Sequence, residues 1–458
     1  MKPKDSLKVV IVGTGYVGLT TGLSLAYLGH KVYCIDKNQE VVENLKKGIP
    51  TIYESGLKEL LEETKKDITF SDELATYLPD ADVIVIAVGT PSKSNGDCDL
   101  TYVEGVAEEI GNNLTPGKVP VIVNKSTVPV GTCRRVEVVV QDKLQQRDID
   151  MDVLVASNPE FLREGVALND TLYPDRIVVG ADDVRAINVL RQMYAPILEQ
   201  TFTPPKVVPR PEGYELPAFV TASATSAELI KYASNAFLAM KISFINEFAG
   251  LAEKVGADIQ EVARGIGLDK RIGPRFLMAG AGWGGSCFPK DTRAILHTGS
   301  QYGYEMPLVE STIKVNQRQR LCMVEKLQSL LKVIRGSTIG ILGLSFKPDT
   351  DDLRDSPSID IIHRLLELGG RVKVYDPIAM ENCKKQYPDL DIEYCSSIEE
   401  LVKGCDAVTL ITDWKEFSYI DWEEAGDLMR QKIIVDGRNM LQKEDLKETG
   451  FQYTGVGR

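Results

Sequence analysis

The sequence predicts an α/β fold in which two doubly wound parallel-sheet domains are joined by a long central helix and a helical middle domain. Three stretches carry that reading. Val9-Val10-Ile11-Val12 is an unbroken β-branched run, as a strand buried on both faces needs, and Gly13-Thr14-Gly15-Tyr16-Val17-Gly18 follows at once. The same order of strand, glycine turn and helix restarts at Thr338-Ile339-Gly340-Ile341-Leu342 and Gly343. Between them, residues 223–255 keep one helical period, longer than a helix inside a single domain usually runs. The expected organisation is a first domain at 1–205, a proline-rich loop at 206–222, a central helical domain at 223–332 and a last domain at 333–458.

Composition narrows the class. A chain of 458 residues exceeds one ordinary core, and at about 150 residues per domain it suggests a multidomain enzyme. A formal net charge of −13 argues against nucleic acid as a partner, although a small anionic ligand could still meet a local basic pocket. The eight cysteines (Cys34, Cys98, Cys133, Cys287, Cys322, Cys383, Cys395 and Cys405) lie scattered, without the short paired spacings of a zinc site or a disulfide scaffold. Reduced thiols, no metal and a cytoplasmic location are therefore expected. The apolar run at 9–12 is too short for a signal segment, and no later stretch suits a membrane span.

In order along the chain, Gly13, Gly15 and Gly18 read as the G-x-G-x-x-G of a Rossmann-like βαβ unit. The first glycine makes the tight turn, the second lets a pyrophosphate reach the backbone, and the third allows close packing at the helix's positive end. Tyr16 and Val17 fill the turn, a helix is expected over 19–28, and a second strand over 31–35 ends in Asp36, placed to bind a ribose hydroxyl. A carboxylate there disfavours a 2′-phosphate, so NAD is the expected cofactor. Strands at 81–88 and 119–123 lead into loops carrying Thr90 and Thr127, and 153–156 leads into Glu160, Arg163 and Glu164, an arginine between two carboxylates that could equally be solvated. A strand at 175–180 closes the sheet, and 202–219, with Pro204, Pro205, Pro209 and Pro211, reads as irregular.

On the long helix, Leu229, Ala233, Ala236, Phe237, Met240, Phe244 and Phe248 form an apolar stripe. Lys231 and Asn235, four apart, share a face; they offer an ammonium and an amide to one ligand or form a solvated pair. Short helices are expected at 259–266 and 276–278. Then Gly282-Trp283-Gly284-Gly285-Ser286-Cys287-Phe288-Pro289-Lys290-Asp291 sets one thiol among glycines that would admit a substrate to the backbone, with Lys290 able to favour the thiolate. A buried, inert cysteine is the alternative. Further helices are expected at 292–300 and 307–331. In the last domain, strands at 338–342, 372–376, 407–411 and 432–436 continue a parallel sheet whose turn lacks the full glycine pattern. A different phosphorylated ligand is expected there, with Lys347, Arg354 and Arg438 as the available cations.

Taken together, Gly13 to Gly18, Lys125-Ser126-Thr127-Val128-Pro129, Asn158-Pro159-Glu160-Phe161-Leu162, Lys231 with Asn235, the cysteine loop, and Phe346-Lys347 through Arg354 closely resemble the UDP-glucose/GDP-mannose dehydrogenase family over essentially the whole chain. The resemblance implies NAD-dependent four-electron oxidation of UDP-glucose to UDP-glucuronate. In it Cys287 forms a thiohemiacetal and then a thioester that water hydrolyses. It implies that Lys231 and Asn235 hold the oxygen that becomes negative, that Asp291 and Thr127 hold a water or the lysine, and that Glu160 is the base for hydrolysis. For the cofactor it points to Gly13, Gly15, Tyr16, Val17, Gly18, Asp36, Thr90, Thr127, Glu164, Lys290 and Arg354. For the UDP-sugar it points to Glu160, Phe161, Leu162, Arg163, Glu164, Lys231, Asn235, Phe276, Leu277, Met278, Ala279, Gly280, Gly284 and Lys347, with Arg271 reaching from a neighbouring subunit of a homodimer or higher oligomer. Ser286 and Phe288 favour UDP-glucose over GDP-mannose or a UDP-N-acetylhexosamine. A single-step β-hydroxyacid dehydrogenase or a silent sugar-nucleotide-binding protein would keep parts of the pattern but needs no Cys287. Val41 stands where relatives often carry a basic residue, with Lys37 beside Asp36 instead, and the loop at 202–219 is longer than the family's usual form.

Overall fold

The structure, a computed structural model, describes residues 6–458, so the reading of the first five residues lies outside it. The chain divides into two compact units between Ala233 and Ser234.

In the first unit eight strands form one sheet: β1 (Lys8–Val12), β2 (Lys31–Ile35), β3 (Ile68–Ser71), β4 (Val83–Ile86), β5 (Val121–Asn124), β6 (Leu154–Ser157), β7 (Arg176–Gly180) and β8 (Ala218–Ala222). Their spatial order is β3-β2-β1-β4-β5-β6-β7-β8. All neighbours run parallel except β6 and β7, which meet only through Ser157 and Gly180. Order reverses at β1, so the chain leaves the sheet to opposite sides beyond the carboxyl ends of β1 and β4, where ligands of such sheets bind. The β-branched run is buried on both faces: Val9 and Ile11 pack into one core layer, Val10 and Val12 into the other.

Two expectations change here. The first helix spans Tyr16–Tyr27, starting three residues before the expected 19, because Gly15 is already its extended N-cap and the turn needs no more chain. Residues 202–219 are irregular only as far as Pro217; Ala218–Ala222 pairs in parallel along β7. Its partly exposed face and the prolines before it hid an edge strand.

His30, between the first helix and β2, is buried with Nδ1 accepting the Leu7 N–H at 3.2 Å and Nε2 at 2.9 Å from the Met193 carbonyl, to which it donates. Only the neutral ring suits both partners, and burial lowers its pKa. The unfolded chain therefore binds the proton more readily, so stability falls as pH drops through about 6.5 and keeps falling to the lower folded value. In His30→Asn the melting temperature between pH 7 and 5 should drop less steeply than in the parent; equal slopes would rule out this group.

In the second unit six parallel strands, β9 (Thr338–Leu342), β10 (Arg371–Tyr375), β11 (Glu393–Tyr394), β12 (Ala407–Leu410), β13 (Ile433–Asp436) and β14 (Gln452–Thr454), lie in the order β11-β10-β9-β12-β13-β14. This is the same winding on a smaller scale, with core layers on both faces. Its glycine turn is altered. Gly343, at φ +94°, lies so close to Thr412 that a Cβ would stand 2.3 Å from that side chain. Asp376, after β10 as Asp36 is after β2, is fully buried. It accepts from the Leu344, Ser345, Ile378 and Ala379 amides, the Ser345 hydroxyl and the Trp414 indole.

The helix Ala224–Val255 runs from the first unit into the second. Among the described residues no helix is long and apolar enough to cross a membrane.

Candidate active site

At the glycine turn, each glycine has its own physical reason. Gly13 adopts φ +99°, and a Cβ on it would stand 2.6 Å from the Ala87 carbonyl oxygen; a Cβ on Gly18 would stand 1.9 Å from the Gly13 oxygen. At Gly15 a Cβ would meet nothing within 4 Å. Protein atoms crowd the first and third glycines while the second faces open space at a helix N-terminus, the cradle that a dinucleotide pyrophosphate fills. Asp36 uses Oδ2 to accept from the amide and hydroxyl of Thr14, at 2.9 and 2.6 Å, and Oδ1 to accept from the Asn38 amide. Thr90 donates to the Thr127 carbonyl at 3.0 Å, tying together the loops after β4 and β5. Lys37 is turned to Glu109, at 3.0 Å.

Beyond β6, the arginine flanked by carboxylates resolves differently from its sequence appearance. Arg163 pairs with Asp170 at 2.7 Å, whereas Glu160 is buried and meets the Lys231 ammonium at 3.0 Å. Burial works to raise the Glu160 pKa, but Lys231, the Leu162 amide and the charge of Lys125 together hold it below the usual carboxylate range. The Lys231 ammonium also lies 5.4 Å from the centre of the Phe161 ring, whose face carries Arg176 at 3.9 Å.

In the second unit, Asn235 donates to Asp291 Oδ2 at 2.6 Å, and Lys290 donates to Oδ1 of the same buried carboxylate at 2.7 Å. The solvated-pair reading of Lys231 and Asn235 is therefore overturned, since both are buried. Cys287 is the N-cap of the helix Phe288–Gln301; its carbonyl accepts the Asp291 amide at 2.8 Å, and its Sγ lies 3.4 Å from the Ser286 hydroxyl. All eight cysteines are thiols, and Cys287 is partly exposed, so it is not the inert core cysteine of the alternative reading. Lys290 is directed to Asp291, and the positive end of the helix is what the fold places at the sulfur.

The glycines before the thiol have a packing role that the sequence did not reveal. A Cβ on Gly284 would stand 2.2 Å from the Asp355 carbonyl oxygen, and one on Gly285, at φ +90°, 2.8 Å from the Phe346 ring. The Gly285 amide donates to the Arg354 carbonyl at 2.8 Å. They seat the loop on residues 346–355. Gly280 lies equally close to the Gly437 carbonyl, and its amide donates to Asn246. Phe276, at φ +64°, stands beside Phe288, while Leu277 and Ala279 are buried and Met278 is exposed. Arg438 donates from Nε to the Ile411 carbonyl and from Nη2 to that of Phe346, beside Lys347; burial lowers its pKa, with Asp413 and Asp436 opposing. Arg354 pairs with Asp352 at 2.8 Å. Among the described residues no group of His, Cys, Asp or Glu could hold a metal ion.

The chain matches the family described as the UDP-glucose/GDP-mannose dehydrogenases in three segments: their NAD-binding domain over residues 7–198, central domain over 225–318 and UDP-binding domain over 340–443. It belongs to that family. It is 45% identical over 459 residues to a UDP-glucose 6-dehydrogenase of Rhizobium meliloti, covering 99% of this chain and 100% of that one. With UDP-glucose 6-dehydrogenase YwqF of Bacillus subtilis it shares 43% over 454 residues, or 99% and 98% of the two chains. A UDP-glucose dehydrogenase structure from Pyrobaculum islandicum superposes with a TM-score of 0.88 at 37% identity, covering 100% of this chain and 99% of that one. As a UDP-glucose/GDP-mannose dehydrogenase family member, the chain is an NAD-dependent oxidoreductase, in agreement with the open cradle at Gly15.

Sequence reasoning passed over Glu228 and gave Lys125, although quoted in the resemblance, no role of its own. Glu228, buried three residues before Lys231, accepts the Gly131 and Cys133 amides at 2.6 and 2.8 Å and so ties the loop after Thr127 to the helix that carries Lys231. Its place on the same helical face was the available signal. Lys125, also buried, donates to Asn158 and Tyr194.

Proposed function

We propose that this dehydrogenase oxidises UDP-glucose to UDP-glucuronate by covalent catalysis at Cys287. The observation that carries the reading is a partly exposed thiol at a helix N-terminus, in a chain whose full-length relatives are UDP-glucose 6-dehydrogenases. NAD, when bound, takes up a hydride in each of two oxidations. Gly13, Gly15, Tyr16, Val17, Gly18, Asp36, Thr90, Thr127, Glu164, Lys290 and Arg354 are the residues that would hold it. The sugar nucleotide is held by residues 160–164 and 276–280, Gly284 and Lys347.

Cys287 acts on the aldehyde left by the first oxidation. Its sulfur adds to the carbonyl carbon, and the oxygen that takes the negative charge is held by the Lys231 ammonium and the Asn235 amide. The second oxidation leaves a thioester. Water then attacks its carbonyl carbon while a carboxylate accepts the proton, and the C–S bond breaks to return the thiolate. Glu160 takes that proton, having until then accepted a hydrogen bond from Lys231, and Asp291 orients Asn235. The test is the yield of NADH per UDP-glucose at limiting sugar nucleotide. Two support the reading; one, or none with UDP-glucose but two with GDP-mannose, sinks it.

Asp36→Ala should raise KM for NAD about tenfold with kcat within about threefold, as loss of a ground-state hydrogen bond does. An unchanged KM would refute the ribose role.

The helix's apolar stripe supports a homodimer. Leu229, Phe237, Phe244, Phe248, Leu251 and Val255 are all exposed along it, with Phe244 and Phe248 in ring contact. Six large apolar side chains in one row form a face that a second copy can bury by two-fold symmetry. Arg271, 88% exposed at the end of a loop, is the residue that would serve the partner's site. Phe244→Asp combined with Phe248→Asp should give a monomer by light scattering; a retained dimer would place the interface elsewhere.

A further inference from the structure

Residues 201–217, the long proline-punctuated segment, have no part in the chemistry above, yet they are tied down along their length. Phe202 stacks on Tyr173 with ring centres 6.0 Å apart, and Tyr214 meets the same ring edge-on at 5.5 Å. Three tyrosine hydroxyls secure backbone on either side: Tyr27 to the Thr203 carbonyl at 2.9 Å, Tyr173 to that of Val208 at 2.9 Å and Tyr214 to that of Pro174 at 2.8 Å. Arg210 donates to Gln200 at 2.9 Å. With prolines limiting its backbone freedom, such a segment is a stiff strap rather than a mobile loop.

The strap presses on one point. Where a Cβ of Gly56 would stand, Val207 Cγ2 is 3.2 Å and Val208 Cγ2 3.5 Å away, and Val208 is buried. Gly56, at φ +78°, ends a turn with two outgoing contacts. The Tyr53 carbonyl accepts the Tyr16 hydroxyl at 2.6 Å, and the buried Glu54 accepts the Gly165 amide at 2.8 Å. Tyr16 begins the helix at the dinucleotide cradle, and Gly165 follows Glu164. In the turn itself Tyr53 and Ser55 are exposed and Glu54 is the one buried side chain.

We propose that the strap at 201–217 is a positioning brace for the cofactor site: by holding the turn at 53–56 from behind, it fixes Tyr16 on one side and Gly165 on the other. This rests on the assignment of NAD to the first unit and not on the identity of the sugar. Preorganisation of this kind is read in cofactor affinity, with little effect on the rate once cofactor saturates.

The experiment replaces residues 203–215 by a short Gly-Ser link in the full chain and measures NAD affinity by calorimetry without sugar nucleotide, together with KM for NAD and kcat. The expected result is a Kd and KM raised at least about fivefold, with kcat at saturating NAD within about twofold. Val208→Ser and Glu54→Gln, which keep the strap's length, should each move Kd in the same direction and settle the matter if the replacement does not fold. Folded variants whose Kd for NAD stays within twofold of the parent overturn the proposal, even if they melt earlier, because the strap would then only stabilise the domain. A wild-type chain that binds NAD but leaves UDP-glucose untouched would count against the sugar assignment and leave this measurement intact.

Discussion

Cys287→Ser is expected to lower steady-state turnover by at least about 10³-fold while the affinity for NAD stays within about twofold. A serine hydroxyl is a far weaker acid and a poorer nucleophile than a cysteine thiol, so addition to the aldehyde fails. The alcohol can still be oxidised once without the sulfur. Rapid mixing should therefore show at most one NADH per site, followed by a stall. The glycine turn of the cradle belongs to the first unit, and Cys287 is not among the residues proposed to hold NAD, which is why binding survives. Continued production of two NADH per UDP-glucose at near-parent rate would remove the thiol from the mechanism.

The second large effect concerns Lys231. Its pair with Glu160 is almost fully out of water, with 4% and 6% of the two side chains exposed. Lys231→Met should cost about 3 kcal/mol of stability, because it leaves a buried carboxylate uncompensated, and should lower kcat about 10²-fold. Adding Glu160→Gln should recover most of that stability and none of the rate. Denaturant melts of the two single variants and the double variant give the coupling directly. If the double variant is no more stable than Lys231→Met alone, the pair does not hold this part of the molecule.

The sheets could be read from sequence because a strand covered on both faces must be apolar throughout, as 9–12 and 338–342 are, and because a glycine turn leaves a spacing that little else produces. The edge strand at 218–222 could not, since an edge tolerates prolines nearby and this one is short, with Ala218 and Thr221 exposed and no residue fully buried. The long helix teaches more. Its period was legible, but the stripe containing Leu229, Phe237, Phe244 and Phe248 faces outward, while Glu228, Lys231, Asn235, Ser243 and Asn246 are buried. Periodicity finds a face and cannot say which side is inside; a helix that carries its polar groups inward inverts the usual rule. At the cysteine loop the residue types were informative and their reasons were not. Gly284 and Gly285 are required by the Asp355 carbonyl and the Phe346 ring, partners far off in sequence.

Asp376 carries a consequence for timing. Its six internal hydrogen bonds tie that carboxylate to the protein itself, so the second sheet does not repeat the open glycine turn of the first. In the reaction proposed above, with NAD held at the first sheet, the spent cofactor would have to depart and a fresh one arrive while the half-oxidised substrate waits. Tenure of that intermediate would have to outlast the exchange, and a covalent bond to sulfur would give it a longer stay than reversible contacts alone.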